Sequence, residues 1–291
     1  MRRQGGKESF VKFLIVTFFL YFCGYTGHPL VVNPVGEGID CNEENAHSLF
    51  TEILKEYVSD GKVNYHDLSS DNRLEEYISR LAATDPAKIQ NDKAKLAFWI
   101  NAYNAYTLKV ICDNYPIKSI NELHFGGLFI GTLLKKTVWD KNFVVINGRK
   151  ISLNFIEHKI IRAAIRDPKA VFTQVCSEIP CPLAHFALVC ASKGCPPLRS
   201  EAYEGQKLDE QLSDQARIFF GDAVRNYFNV EKKEAHLSKI LDWFADDFGK
   251  NDEERLLFVA NFLPDTLAES IRAIPESWKI RHTKYDWSLN E

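Results

Sequence analysis

Between Lys93 and Asn114 the side chains of Leu96, Phe98, Trp99, Ile100, Ala102, Ala105, Leu108 and Ile111 fall on nearly every face of a helical turn. A helix with that pattern has no face to give to water, so it must lie in the middle of the fold, with the remaining elements layered around it. Pro116, which cannot supply an N–H to a helix interior, ends it. Two other segments have the one-sided pattern of such layers. Leu49, Phe50, Ile53, Leu54 and Tyr57 share one helical face, and so do Leu74, Tyr77, Ile78 and Leu81.

Asn147-Gly148 stands between two strand-like runs, Phe143 to Ile146 and Arg149 to Leu153, the signature of a two-residue hairpin turn. A helix follows at once, with Asn154 as its expected cap, Glu157 completing a capping box and Asp167-Pro168 closing it. The short apolar run Phe186 to Cys190 predicts a strand buried on both faces. Helices are expected over 206–221, near 239–248 and over 252–272, with a second hairpin over Tyr227 to Leu237 and a strand over Trp278 to Leu289. Local hairpins mixed with helices give an α+β fold, a helix-rich single domain around a small, mainly antiparallel sheet.

Arg2, Arg3, Lys7 and Lys12 precede an apolar run from Phe13 to Gly24, the shape of a secretory signal. The run is shorter than the roughly 20 apolar residues that cross a bilayer. Residues 1–24 therefore read as a cleaved signal peptide in preference to a membrane anchor, and the membrane is reached only through this segment. Pro29, Pro34, Gly36 and Gly38 mark residues 25–42 as a linker, which leaves 43–291 as the domain, with an extracytoplasmic location, periplasmic or secreted. The whole chain carries a formal net charge of −3, and the leader sets four basic residues against Glu8 alone, so the remainder is more acidic still. No long basic patch follows, which excludes a nucleic-acid partner. Of seven cysteines, Cys23 leaves with the leader, and in an oxidising compartment the even remainder reads first as disulfides.

Asn101 and Asn104 stand one turn apart on the apolar central helix, where a buried amide must find partners. Either they tie the helix to neighbouring loop backbone, or they face a cleft and orient a substrate carbonyl or a histidine. His185 heads the expected buried strand and either overlooks a pocket or sits satisfied at the rim of the core. His158 beside Glu157 offers a base and its orienter, although capping accounts for Glu157 and adjacent helical residues point apart. Cys195, in the turn Gly194-Cys195-Pro196-Pro197, can present its sulfur to solvent. As a nucleophile it needs His185 or His158 to take its proton, and the competing readings are a disulfide and an inert buried thiol. Asp286, near the last tryptophan, completes the candidate polar set. Cys176 and Cys181 are spaced like Cys190 and Cys195, which raises a four-thiolate zinc site. That spacing is wide for structural zinc, two disulfides are simpler, and neither a metal nor a cofactor is expected.

The blocks Lys93–Tyr106, Ser152–Arg162, His185–Ser192 with Gly194–Leu198, and Tyr285–Asn290 resemble, in the same order, those of the widespread domain-of-unknown-function family 547. The resemblance covers residues 43–290, and it implies no agreed activity. By analogy with papain- and transglutaminase-like folds, which share the order of helix, buried strand and histidine, Asn101 occupies the place of a nucleophilic cysteine. The sulfur then comes from Cys195, or the site has no nucleophile. Two functions follow. One is a thiol-dependent hydrolase or transferase acting on an amide or thioester of a small molecule or peptide, with Cys195 as nucleophile, His185 as base and Asn101 or Asn104 orienting. The other is a non-catalytic extracytoplasmic domain that binds a ligand or peptide, with Asn104, Glu157, His158 and Asp286 as candidate contacts. The oligomeric state stays open.

Overall fold

The computed structural model of the protein describes residues 37–124, 126, 137–162 and 181–291. The expected signal segment, the linker up to residue 36, the Asp167-Pro168 helix stop and Cys176 lie outside them, as does the side chain of Cys181.

The first layer is α1 (Ser48–Tyr57), the hairpin of β1 (Val58–Ser59) and β2 (Lys62–Val63), a single turn α2 (Tyr65–Leu68), and α3 (Asn72–Ala83). α1 buries Phe50, Ile53 and Leu54, and α3 buries Leu74, Tyr77, Ile78 and Leu81, the faces that the apolar spacing assigns. Phe50 stacks on Tyr77 with ring centroids 4.6 Å apart, which fixes the two helices against each other. α3 in turn packs on α4 (Asp92–Cys112), the central helix. Asn91 caps α4 by accepting the Ala94 N–H at 3.1 Å, and burial runs all round from Leu96 to Leu108. α4 stops at Cys112, ahead of Pro116, so the proline belongs to the exit loop.

β3 (Val144–Ile146) and β4 (Arg149–Ile151) form the expected hairpin. Asn147 (φ 47°) and Gly148 (φ 72°) both adopt the left-handed region that a two-residue turn of this hand requires. α5 (Leu153–Phe155) follows and runs into a π-helical stretch, Ile156–Ile161. Its cap is Ser152 and not Asn154. Ser152 is still extended, and its Oγ accepts the Phe155 N–H at 3.1 Å, whereas Asn154 Nδ2 donates to Asp140 Oδ1 at 2.6 Å. Glu157 is thereby released from capping.

The expected buried strand at Phe186 to Cys190 does not form. Residues Cys181–Phe186 make a 3-10 helix, and Leu188 to Cys190 are irregular. A continuous apolar run records burial and not backbone geometry. Here the burial is aromatic: Phe186 lies 4.8 Å from Phe219, 5.0 Å from Phe220 and 5.6 Å from Phe248, centroid to centroid. Phe219 and Phe220 come from α6 (Leu208–Gly221). β5 (Tyr227–Asn229) and β6 (Glu234–Leu237) pair antiparallel, and β7 (Lys279–His282) joins β6 in parallel. Between them lie α7 (Ile240–Trp243), α8 (Ala245–Phe248), α9 (Asp252–Ala260) and α10 (Asp265–Ala273). Pro264 splits what the sequence reads as one helix over 252–272. Of the tail, only β7 is a strand, with an isolated bridge between Ser192 and Leu289 further on. The α+β class holds, but among the described residues the β structure is three small separate sheets and not one sheet that the helices surround.

Candidate functional site

α4, the π-helical stretch, the loop from His185 to Pro196, α7 and the tail around Tyr285 and Trp287 line a cleft of about 510 Å³. Each wall follows from a local feature of the chain. On α4, Asn101 and Asn104 point to other backbone, while Tyr103 between them enters the cleft. The Tyr103 hydroxyl donates to Glu157 Oε2 at 3.3 Å. Burial pushes the Glu157 carboxyl up to about 7, against the opposing effects of the Tyr103 hydrogen bond and the Arg162 charge. A π-helical turn, which often marks a functional position, carries this acid and its neighbour His158.

His185 Nε2 lies 2.9 Å from Asp247 Oδ2, and Arg162 Nε donates to the same oxygen at 2.6 Å. Burial alone would raise the Asp247 carboxyl, but the His185 and Arg162 hydrogen bonds overcome it and hold the group well below the usual carboxylate range. The His185 ring stacks on Phe244 at 4.3 Å, and the Arg162 guanidinium sits 4.7 Å from the centre of the same ring. Arg162 also reaches His158 Nδ1 at 3.2 Å, and desolvation followed by the Arg162 charge lowers the His158 pKa.

On the opposite side Cys190 and Cys195 are joined by a disulfide, with Cα atoms 6.1 Å apart. The Tyr285 hydroxyl lies 3.1 Å from Cys190 Sγ, donates to Cys195 Sγ at 3.2 Å and accepts from Ser192 Oγ at 3.1 Å. The Cys190 N–H points at Cys195 Sγ at 2.9 Å. Tyr285 can come this close because residue 194 is glycine, where a Cβ would meet the ring at 2.9 Å. Tyr285 continues into an aromatic cluster, with Trp287 at 4.5 Å, Trp243 at 4.8 Å, and Trp139 6.1 Å from Trp287.

The cleft thus brings together Cys195, His185, Glu157 and His158. Cys195 is not a free thiol, so the nucleophile of the hydrolase reading is absent from this state of the chain. Asn101 is held by loop backbone: its Nδ2 donates to the Tyr203 carbonyl at 2.8 Å and its Oδ1 accepts the Tyr203 N–H at 2.9 Å. Asn104 does the same with the Ala187 carbonyl and the Val189 N–H. Both amides are spent on loop backbone, the first of the two readings open at the sequence level. Asp286 is exposed outside the cleft, and its Oδ1 accepts from the Ser288 N–H and Oγ as a turn residue. Among the remaining cysteines described, Cys41 and Cys112 are unbridged, with burial raising each thiol to about 12. Among the described residues no cluster of His, Cys, Asp or Glu is placed to hold a metal ion, and no helix is long and apolar enough to cross a membrane.

Sequence reasoning missed Tyr103, Arg162, Asp247, Tyr285 and the tryptophans. Asp247 had a signal, because it shares a helical face with Phe244 and Phe248, and an acid there needs a cationic partner. No curated protein and no solved structure matches the chain. One family model does, over residues 86–220, a narrower span than 43–290 that takes in Tyr103, Glu157, His185 and both bridged cysteines but not Asp247 or Tyr285. Over that segment the chain is similar to the family described as "Protein of unknown function, DUF547".

Proposed function

We propose that the protein is an exported binding domain whose cleft takes a small molecule or peptide side chain with a ring-shaped or apolar body and a cationic or hydrogen-donating end. The observation that carries this reading is the pairing of an aromatic wall with one desolvated carboxyl. Trp139, Trp243, Tyr285 and Trp287 offer ring faces and edges to the body of a ligand, and Glu157, half-buried in the cleft wall and pushed up to about 7, is short of the water that would stabilise its charge. A cation brought beside it restores that stabilisation, and the rings favour the same charge through their π faces. The Cys190–Cys195 disulfide suits an oxidising compartment, which supports the exported location together with the N-terminal signal pattern. The hydrolase reading needs an unbridged Cys195 and is not the one this geometry favours.

Three of the five tryptophans line the cleft, so their fluorescence reports its occupancy. Titration with benzylamine is expected to saturate, with benzoate weaker by about 10-fold, and Glu157→Gln is expected to erase that difference. Equal binding of the two probes, or no change with either, overturns the reading.

A further inference from the structure

The disulfide in the cleft wall is placed to react. Cys190 is half-buried and borders the cleft, while Cys195 is only 3 % exposed, so an incoming group meets Cys190 Sγ first. Behind it, the sulfur that would leave already has two donors aimed at it, the Cys190 N–H at 2.9 Å and the Tyr285 O–H at 3.2 Å. A disulfide whose leaving sulfur is met by hydrogen-bond donors exchanges faster, because the departing thiolate is stabilised as it forms. Arg225 holds the arrangement from outside, its Nε donating to the Cys195 carbonyl at 2.6 Å. A disulfide that only braced the fold would need neither an opening toward Cys190 nor donors on Cys195.

We propose that Cys190–Cys195 is a thiol–disulfide exchange site that oxidises a dithiol bound in the cleft, a step that rests on the cleft being the binding site. In the first step a substrate sulfur, its proton passed to Glu157 or to water, bonds to Cys190 Sγ. The bond between the two cysteine sulfurs breaks, and its electron pair leaves on Cys195. In the second step the other substrate sulfur bonds to the first, the bond to Cys190 breaks, and that pair leaves on Cys190. Both cysteines take up a proton. The dithiol loses two electrons to become a disulfide, and the protein disulfide gains them. Tyr285 acts on the leaving sulfur, and Glu157, close enough for its charge to bear on the Tyr285 hydroxyl, is the acid–base group of the same cleft.

The test compares the rate at which dithiothreitol reduces this disulfide in the native protein and in the same protein unfolded in urea. Each time point is trapped with N-ethylmaleimide and assigned to Cys190 and Cys195 by peptide mass. The native protein is expected to react about 10-fold faster than the unfolded chain. Tyr285→Phe is expected to slow the native rate several-fold and leave the unfolded rate unchanged. A native disulfide that reacts more slowly than the unfolded one is a brace and overturns the proposal, and so does a Tyr285→Phe rate equal to wild type in a folded variant. Fast exchange with no response to benzylamine would sink the ligand reading alone.

Discussion

Asn104 pairs with the loop at Ala187 as a neighbouring strand would: its Nδ2 donates to the Ala187 carbonyl at 2.9 Å and its Oδ1 accepts the Val189 N–H at 3.0 Å. A single side chain therefore supplies the ladder that the irregular segment lacks, and it holds the segment between His185 and Cys190 in place. The amide sits in the core, at 2 % exposure, so no water stands by to replace it.

Asn104→Ala leaves a buried carbonyl and a buried N–H without partners, and the expected loss is about 2–5 kcal/mol of unfolding free energy. Asn104→Asp sets a carboxyl oxygen against the Ala187 carbonyl and buries a charge, so near neutral pH it should be at least as destabilising as Asn104→Ala. Urea unfolding followed by circular dichroism measures both. An Asn104→Ala protein as stable as wild type would remove the structural role assigned here.

Glu157 carries a pH dependence whose sign follows from burial. Its carboxyl is raised from 4.5 to about 7 in the fold, so between those values the unfolded chain has released the proton and the folded chain has not. Stability from this group is full below pH 4.5, falls as pH rises toward 7, and stays reduced above it. Glu157→Gln should flatten that fall and raise the stability at alkaline pH by roughly 1–3 kcal/mol. Thermal melts across the range test it, and a steeper fall in the variant would contradict the assignment.

His47 acts in the opposite direction. It is buried, with Nδ1 2.7 Å from the Tyr77 hydroxyl, and burial lowers its pKa from 6.5 to about 3. The unfolded chain takes up a proton through 6.5 while the folded chain stays neutral, so this stability is complete above 6.5 and is lost as pH falls toward 3. Wild type should lose about 2–3 kcal/mol between pH of about 7 and about 4.5 through this group, and His47→Gln should lose correspondingly less. Urea midpoints at the two pH values decide it.

Two glycines with left-handed backbone separate strain from crowding. Gly148 (φ 72°) has open space around a Cβ position, so Gly148→Ala is expected to cost about 1 kcal/mol from conformation alone. Gly61 (φ 76°) would put a Cβ 2.4 Å from the Pro197 Cβ and 2.8 Å from its Cα, and Gly61→Ala should cost about 3 kcal/mol or more. Equal losses in chemical denaturation would mean that Pro197 moves aside freely.

The helices α1, α3, α4 and α6 and the Asn147-Gly148 hairpin were legible because each is set by local periodicity or by one turn's backbone requirement. The 186–190 segment was not, because its backbone partners are side-chain atoms of Asn104, far away in sequence, and apolar pattern records only burial. The cap at Ser152 and the break at Pro264 turned on single residues. At the site, His185, Glu157, His158 and Cys195 could be picked out as residue types. Their arrangement could not, since Asp247 reaches them from a segment that carries no motif of its own, and the Tyr285–Asn290 block offered Asp286 as its candidate while Tyr285 is the residue that lines the cleft. That Asn101 and Asn104 need partners follows from burial, whereas the identity of the partners, Tyr203, Ala187 and Val189 backbone, follows only from the way distant loops fold onto α4.

Tyr285 and Trp287 enter the cleft from a tail pinned by the Leu289 N–H to the Lys118 carbonyl and by the Val63 N–H to the Asn290 carbonyl, each at 2.8 Å. During synthesis, Tyr103, Glu157 and the cystine sulfurs leave the ribosome well before these two rings do. A nascent chain therefore carries half a cleft, with the Cys190 and Cys195 sulfurs uncovered by Tyr285, and the site matures only when the polypeptide through Asn290 has docked.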